Sequence, residues 1–317
     1  MCYSFLRRCL MVTFFTTRRH QYPINLYLDA WAPDLRQHVR VRSYEDLPQE
    51  GCLEPGTYIF TDQERWTRRQ FRLAVELWDQ LFPCAPSIAL LNDPRRVLLR
   101  YDLLKQLHQI GHNDYNVHLV RDSLRLTRWP VFLHSQGGHE GPLSPLLHHR
   151  ASLLFWVAIT FLRRPGCKLM VEEFCDVLSS GLYSKYGAFN FGGQIVPRHL
   201  FFGKSWSLKD TERLSDDDAA RYENYLLKNP DAPELEKVFD LAGIDFGRVD
   251  YAFRNGRLQV WEINTNPMII GKLTENDPPA EAELCRKFHA MIQPHFLRLA
   301  ALSQGDRPAP YRLTGRF

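Results

Sequence analysis

The sequence lacks a charge excess: 40 Lys and Arg stand against 36 Asp and Glu, a formal net charge of +4 over 317 residues. Such a balance describes a mixed, solvated surface and lends no support to a nucleic-acid partner, which would call for a basic face. Paired cysteines are missing too. The seven present, Cys2, Cys9, Cys52, Cys84, Cys167, Cys175 and Cys285, are odd in number, widely spaced and contain no CxxC pair. They read as reduced thiols in a cytoplasmic protein. The apolar run Cys9 to Phe15 is far below the ~20 residues of a membrane helix, and Arg18, Arg19 and His20 stand where a signal peptide would carry its small-residue cleavage site. It reads as a first buried strand, and no membrane partner is expected. Internal repeats and low-complexity segments are absent as well, which sets aside solenoid and disordered classes.

What is present is an ordinary globular composition, 44% hydrophobic and 13% aromatic, in a chain long enough for two or three packed lobes around a cleft. Tyr58 to Phe60 reads as a strand. Trp66, Phe71, Leu73, Ala74, Leu77, Trp78 and Leu81 then recur at near-helical spacing until Pro83. Ser87 to Leu91 is a second strand, bounded by Asn92-Asp-Pro94, and Arg95 to Ile110 carries a helical stripe ended by Gly111. Trp129 to Leu133 reads as a strand, Leu153 to Leu162 as a buried helix, and Lys168 to Val171 as a strand with Glu172 and Glu173 at its end. The region from Tyr183 to Lys209 is strand-rich. Two helical stretches, Ser215 to Leu227 and Ala232 to Leu241, a hairpin and a last helix, Glu281 to Leu302, follow. The tail after Gly305 reads as an ordered arm or a loose end.

The hairpin carries the chemistry. Arg248 to Phe253 and Leu258 to Asn264 alternate as strands around Arg254-Asn-Gly-Arg257, and Asn-Gly is a strong hairpin signal. Alternation sets Glu262 and Asn264 on one face with Val260 beneath them. Two carboxylates, Asp250 and Glu262, and the amide of Asn264 are hard oxygen donors of the kind Mg²⁺ uses between protein and nucleotide phosphates. A plain two-residue turn would put Asp250 and Glu262 on opposite faces, so the spacing predicts a bulged turn at 254–257 that brings them together. His108 and His112 lie one helical turn apart but have no evident third ligand for zinc.

The ending Glu262-Ile-Asn-Thr-Asn-Pro267, with Asp250 on the preceding strand, resembles the metal-binding signature of ATP-grasp enzymes such as D-alanine:D-alanine ligases and glutathione synthetase-like carboxylate-amine ligases. The likeness runs from about Tyr58 to Leu302. It implies an α/β (α+β) fold: an N-terminal α/β domain over 11–94, a central lobe over 95–170 and a C-terminal lobe with the metal site over 171–304, clasping ATP between antiparallel sheets, with 305–317 as a tail. The family's two nucleotide-binding lysines are replaced here, Arg100 (with Lys105 next) standing for one and His134 for the other. The loop Gly137-Gly-His-Glu-Gly141 follows, in which Gly138 and His139 would face phosphate. For His139 a solvated position is an equal alternative. Glu172 or Glu173 would hold the ribose hydroxyls, Lys185 is placed as a nucleotide-binding cation, and Trp206 is core or a lid. Arg198 and Arg248 would bear the charge of catalysis, with Asp250, Glu262 and Asn264 on the metal.

The resemblance implies an ATP- and Mg²⁺-dependent ligase, Mn²⁺ being a substitute, that activates a small-molecule or peptide carboxylate as an acyl phosphate for attack by a nucleophile such as an amine. Such chemistry needs alignment and charge neutralisation, not a Ser-His-Asp or Cys-His set. The alternatives are an ATP-grasp phosphotransferase and, because His134 stands for a lysine, a non-catalytic nucleotide-binding module. The family also admits a homodimer.

Overall fold

The computed structural model describes residues 11–138, 140–208, 215–275 and 277–315. Strands β1 (Val12–Thr16), β2 (Val39–Ser43), β3 (Glu50–Leu53), β4 (Gly56–Phe60) and β5 (Ile88–Leu91) alternate with helices α1 (Tyr22–Ala30) and α2 (Arg68–Leu81). Four of the strands form a parallel sheet in the order β2-β1-β4-β5. A parallel sheet is covered on both faces, and all five residues of β1 and of β4 are buried accordingly. Helix α2 forms because Thr67 and Gln70 cap its first turn reciprocally and because Leu73, Ala74, Leu77, Trp78 and Leu81 fall on one face. Burying each of the larger apolar side chains there contributes about 1.5–3 kcal/mol before the entropy of ordering it.

Beyond β5, Asn92 joins this sheet to the rest of the protein. Its fully buried amide donates to the carbonyls of Phe60 (3.1 Å) and Phe246 (2.8 Å) and accepts from the backbone N–H groups of Asp245 (2.8 Å) and Phe246 (2.9 Å). Helix α3 (Arg100–Gln109) starts later than its apolar stripe suggests. The Arg96 and Val97 N–H groups turn back to the Asp93 carbonyl, and the Leu98 N–H is taken by the carbonyl of Ala242, leaving the helix to begin at Arg100.

Strands β6 (Val117–Leu119) and β7 (Val131–Ser135), helix α4 (Arg150–Arg163) and strand β8 (Leu169–Glu173) come next. They build a three-stranded antiparallel sheet in the order β6-β8-β7. Helix α4, expected to be buried, packs through one face, with Leu153, Val157 and Thr160 buried and Trp156 partly so. Its other face, with Leu154, Phe155, Phe161 and Leu162, is exposed.

The last part holds β9 (Tyr183–Phe191), β10 (Ile195–Gly203), α5 (Asp216–Lys228), α6 (Ala232–Ala242), β11 (Phe246–Arg254), β12 (Arg257–Asn264), α7 (Pro279–Ala300) and β13 (Ala309–Arg312). The antiparallel sheet β10-β9-β11-β12 lies against α7, whose Phe288, Ile292 and Phe296 share one core with Phe189 and Phe191 of β9 and Phe14 of β1. The tail is an arm: β13 returns to pair antiparallel with β3, Ala309 opposite Leu53. The class is α/β (α+β), a parallel sheet with helices followed by two antiparallel sheets, as expected.

The hairpin departs from expectation in one respect. Asn255 and Gly256 both take positive φ, 51° and 75°, the conformation of a regular two-residue turn, and Arg254 pairs with Arg257. The bulge lies instead within β12: Tyr251 pairs with Val260 and Asp250 with Glu262, leaving Trp261 as the extra residue. The Val260 N–H and carbonyl are held by the Asn113 amide at 3.0 and 2.9 Å, and the Tyr115 hydroxyl donates to the same carbonyl. With residue 260 pinned from outside the sheet, the slip falls at 261. Val260 therefore shares the core face with Tyr251 rather than lying beneath Glu262.

Candidate active site

The two antiparallel sheets enclose a cleft of about 400 Å³, with two dissimilar ends. One is apolar: Phe132 of β7, Phe174 and Val177 line it, and Trp206 packs its ring against Phe132 and Phe174 at 5.0 and 5.8 Å between centroids. The other end is charged, lined by His134, Glu172, Lys185, Arg248, Asp250, Glu262 and Asn264.

The register of β11 and β12 builds the charged end, with Asp250 directly opposite Glu262 and Arg248 directly opposite Asn264. Asp250 is buried, with Arg248 Nε donating to its Oδ1 at 2.9 Å and Lys185 Nζ 3.6 Å from its Oδ2. Burial alone would raise its pKa. Arg248 and Lys185 outweigh it and hold the carboxyl well below the usual carboxylate range, so it is ionised. Asn264 accepts the Asn266 N–H through its own Oδ1 at 2.9 Å. Thr265 is tied by its N–H and hydroxyl to Glu64, so the loop after β12 is anchored to the N-terminal part.

Arg100, at the first position of α3, reaches into this end although it is 4% exposed. It forms an ion pair with Glu262, donates to the carbonyls of Ser135 (2.9 Å) and Gly138 (2.7 Å), and lies 3.0 Å from His134 Nδ1. Glu172 Oε2 stands 3.8 Å from the same His134 nitrogen. Burial pushes the Glu172 pKa up to about 8, with Arg100 pulling the other way, so the group carries a proton at neutral pH.

The sequence left Glu172 and Glu173 as alternatives, and strand alternation separates them. Glu173 turns to the opposite face of β8, where it meets His118 at 3.1 Å and the Asn116 N–H at 3.1 Å. Arg198 is likewise turned from the cleft. It is the extra residue of a bulge in β10, where Pro197 pairs with Ala188 and His199 with Gly187. Its Nε donates to the Ile269 carbonyl at 2.8 Å and its guanidinium covers the Phe288 ring at 4.7 Å. Gly138 takes part through its carbonyl, bonded to Arg100. His139 lies outside the described residues.

Two features were not legible beforehand. The apolar wall mixes residues of β7, the end of β8 and the segment after β10, which no local pattern links. His199, 3% exposed and 3.9 Å from Asp250 Oδ1, stands beside the acids, and burial pushes its pKa well below the ordinary histidine value.

Asp250, Glu262 and Asn264 bring two carboxylates and an amide oxygen, all hard-oxygen donors, to one end of the cleft. Among the described residues no group of three or more His, Cys, Asp or Glu side chains is arranged so as to hold a metal ion by itself.

No family model and no curated protein matches the chain. Several solved structures do. The chain is similar to D-alanine–D-alanine ligase from Bacillus anthracis in complex with ATP, at 12% identity over 92% of this chain and 99% of that one, with a TM-score of 0.49. It is similar to D-alanine–D-alanine ligase from Helicobacter pylori at 13% identity over 93% and 99%, TM-score 0.49. A RimK domain ATP-grasp protein from Sphaerobacter thermophilus is similar at 14% identity over 93% and 100%, TM-score 0.48. The solved structures it is similar to thus include members of the ATP-grasp family, which the sequence resembles. No helix among the described residues is long and apolar enough to cross a membrane.

Proposed function

We propose that this chain is an ATP- and Mg²⁺-dependent ligase of the cytoplasm that activates a carboxylate for attack by an amine or similar nucleophile. The observation that carries the reading is the pairing of Asp250 with Glu262 beside Asn264, among Arg100, Lys185 and Arg248, in one cleft with an aromatic end. A bare polyphosphate would be repelled by the two carboxylates and attracted by the three cations. A divalent ion held by the acids reconciles the two charges, and the aromatic end suits a planar base. On this reading 11–94, 95–170 and 171–304 act as the three family units, with 305–317 as a tail.

A carboxylate oxygen of the substrate would attack the γ-phosphorus as the bond to ADP breaks. The resulting acyl phosphate would yield to a nucleophile, with inorganic phosphate leaving. A bound Mg²⁺ would supply neutralisation of the β- and γ-oxygens. Arg248 and Lys185 would keep Asp250 ionised and meet developing charge on phosphate, Arg100 would hold the Ser135 and Gly138 carbonyls and Glu262 in one frame, and Glu172, protonated, would donate a hydrogen bond to the nucleotide. Incubation with ATP, Mg²⁺, a library of carboxylic acids and hydroxylamine tests this. Hydroxamate with ADP supports the ligase, a stable phosphorylated product supports a phosphotransferase instead, and no ATP consumption with any acid removes the enzymatic reading.

A further inference from the structure

Four residues lie in one row across the C-terminal sheet. His199 of β10 is opposite Gly187 of β9, Gly187 is opposite Asp250 of β11, and Asp250 is opposite Glu262 of β12. The outer strands each carry an extra residue immediately beside the row, Arg198 in β10 and Trp261 in β12, so two bulges bring these four positions into line. His199 is two strands from Asp250, a separation of roughly 10 Å between backbones. Its ring nevertheless lies 3.9 Å from Asp250 Oδ1. It can do so because Gly187 has no side chain: a Cβ there would stand 2.3 Å from His199 Cε1 and 2.5 Å from Nε2. The ring is also stacked on Phe201, at 4.2 Å between centroids and 8° between planes. Nε2 is buried and has no hydrogen-bond partner, and a buried polar atom of this kind calls for one.

We propose that His199 is a positioning residue for the metal site: reaching over Gly187, its Nε2–H is aimed at Asp250 and fixes the carboxylate in the orientation a divalent cation requires. The inference rests on the proposed metal role of Asp250 and adds a residue that no sequence motif marks. Arg248 holds Oδ1 from along the strand, and His199 approaches the same oxygen from across the sheet. With Oδ1 approached from both directions, Oδ2, which is 3.6 Å from Lys185, is the oxygen that would turn toward a cation. Partners one step removed from a metal tune its affinity about 10–100-fold.

The test is Mn²⁺ binding in the presence of a non-hydrolysable ATP analogue, read from the electron paramagnetic resonance signal of free Mn²⁺, with thermal melts to verify folding. His199→Phe keeps the stacked ring and removes the donor, and is expected to weaken Mn²⁺ about tenfold or more. His199→Gln restores a donor and is expected to recover most of the loss. Gly187→Ala is expected to weaken Mn²⁺ when His199 is present and to have no effect in a His199→Ala background, where no ring is displaced. His199→Phe within twofold of wild type, or Gln no better than Phe, overturns the proposal. Asp250→Asn separates the two levels. If it abolishes Mn²⁺ binding while the His199 variants are silent, only the positioning role fails, and if it binds like wild type, the metal reading fails and the proposal with it.

Discussion

Asp250 and Glu262 face each other across β11 and β12 because β12 carries one residue more than its partner, Trp261. Without that residue's displacement a two-residue turn at Asn255 and Gly256 would set Asp250 against Trp261 and send Glu262 to the other face of the sheet. The acid pair is a consequence of where the strand slips, and the slip is fixed by Asn113 and Tyr115.

Loss of either acid removes charge at a site that contributes little apolar packing. Asp250→Asn and Glu262→Gln are each expected to lower ATP turnover at least about 100-fold, while thermal melts show a folded protein. Coupled ADP release in the presence of an accepted carboxylate measures it, and wild-type-like turnover in either variant would remove that acid from the site.

Lys185 and Arg198 are both basic residues of the same sheet, yet only Lys185 lines the cleft, 3.6 Å from Asp250. Lys185→Met is expected to weaken ATP about tenfold, the order of one charge-assisted contact. Arg198→Met is expected to change ATP affinity less than about twofold, since its guanidinium is engaged by the Ile269 carbonyl and Phe288. Calorimetric titration with ATP and Mg²⁺ compares them, and an equal loss in both would contradict the assigned facing of Arg198.

Glu172 gives a pH dependence of stability. Burial pushes its folded pKa up to about 8, above the ordinary glutamate range. A carboxyl raised on folding contributes stability that is complete below the unfolded pKa and is lost as pH rises through the folded one. Glu172→Gln, which resembles the protonated acid, is therefore expected to match wild type near pH 4.5 and to gain on it by up to roughly 1.4 kcal/mol per pH unit toward pH 8. Denaturant unfolding of both proteins across that range measures it, and parallel curves would mean that Glu172 is ionised in the folded state.

Asn92 is a structural counterpart to these. Its amide makes four hydrogen bonds to backbone groups of Phe60, Asp245 and Phe246 without contact to the cleft. Asn92→Leu strands those buried groups and is expected to cost about 2–4 kcal/mol. Urea unfolding reads the loss, and a cost below about 1 kcal/mol would show that the join between the sheets does not depend on it.

The hairpin and its Asn-Gly connection were legible because period-two alternation and turn chemistry are local properties, whereas the bulge expected in the turn lies in β12. The position of the bulge was not legible, because the groups that pin Val260 come from residues 113 and 115, far away in sequence. Glu172 and Glu173 could not be told apart without knowing which face of β8 meets the cleft. Arg198 was placed by the resemblance alone, and its facing depends on a bulge in β10 that no local pattern marks. The tail pairs with β3 through a four-residue strand containing Pro310, too short a pattern to separate an arm from a loose end. His199 carries no signal at all, since its role depends on a glycine on one neighbouring strand and an aspartate on the next.

The central claim is that Asp250, Glu262 and Asn264 hold a divalent cation together with nucleotide in this cleft. The most direct measurement is anomalous scattering from crystals grown with Mn²⁺ and a non-hydrolysable ATP analogue. The account expects a Mn²⁺ peak about 2.1–2.2 Å from oxygens of Asp250, Glu262 and Asn264, bridging to the phosphates, with Arg100 released from Glu262. Nucleotide bound in the cleft with no metal at these three residues, or a metal held elsewhere, would contradict it.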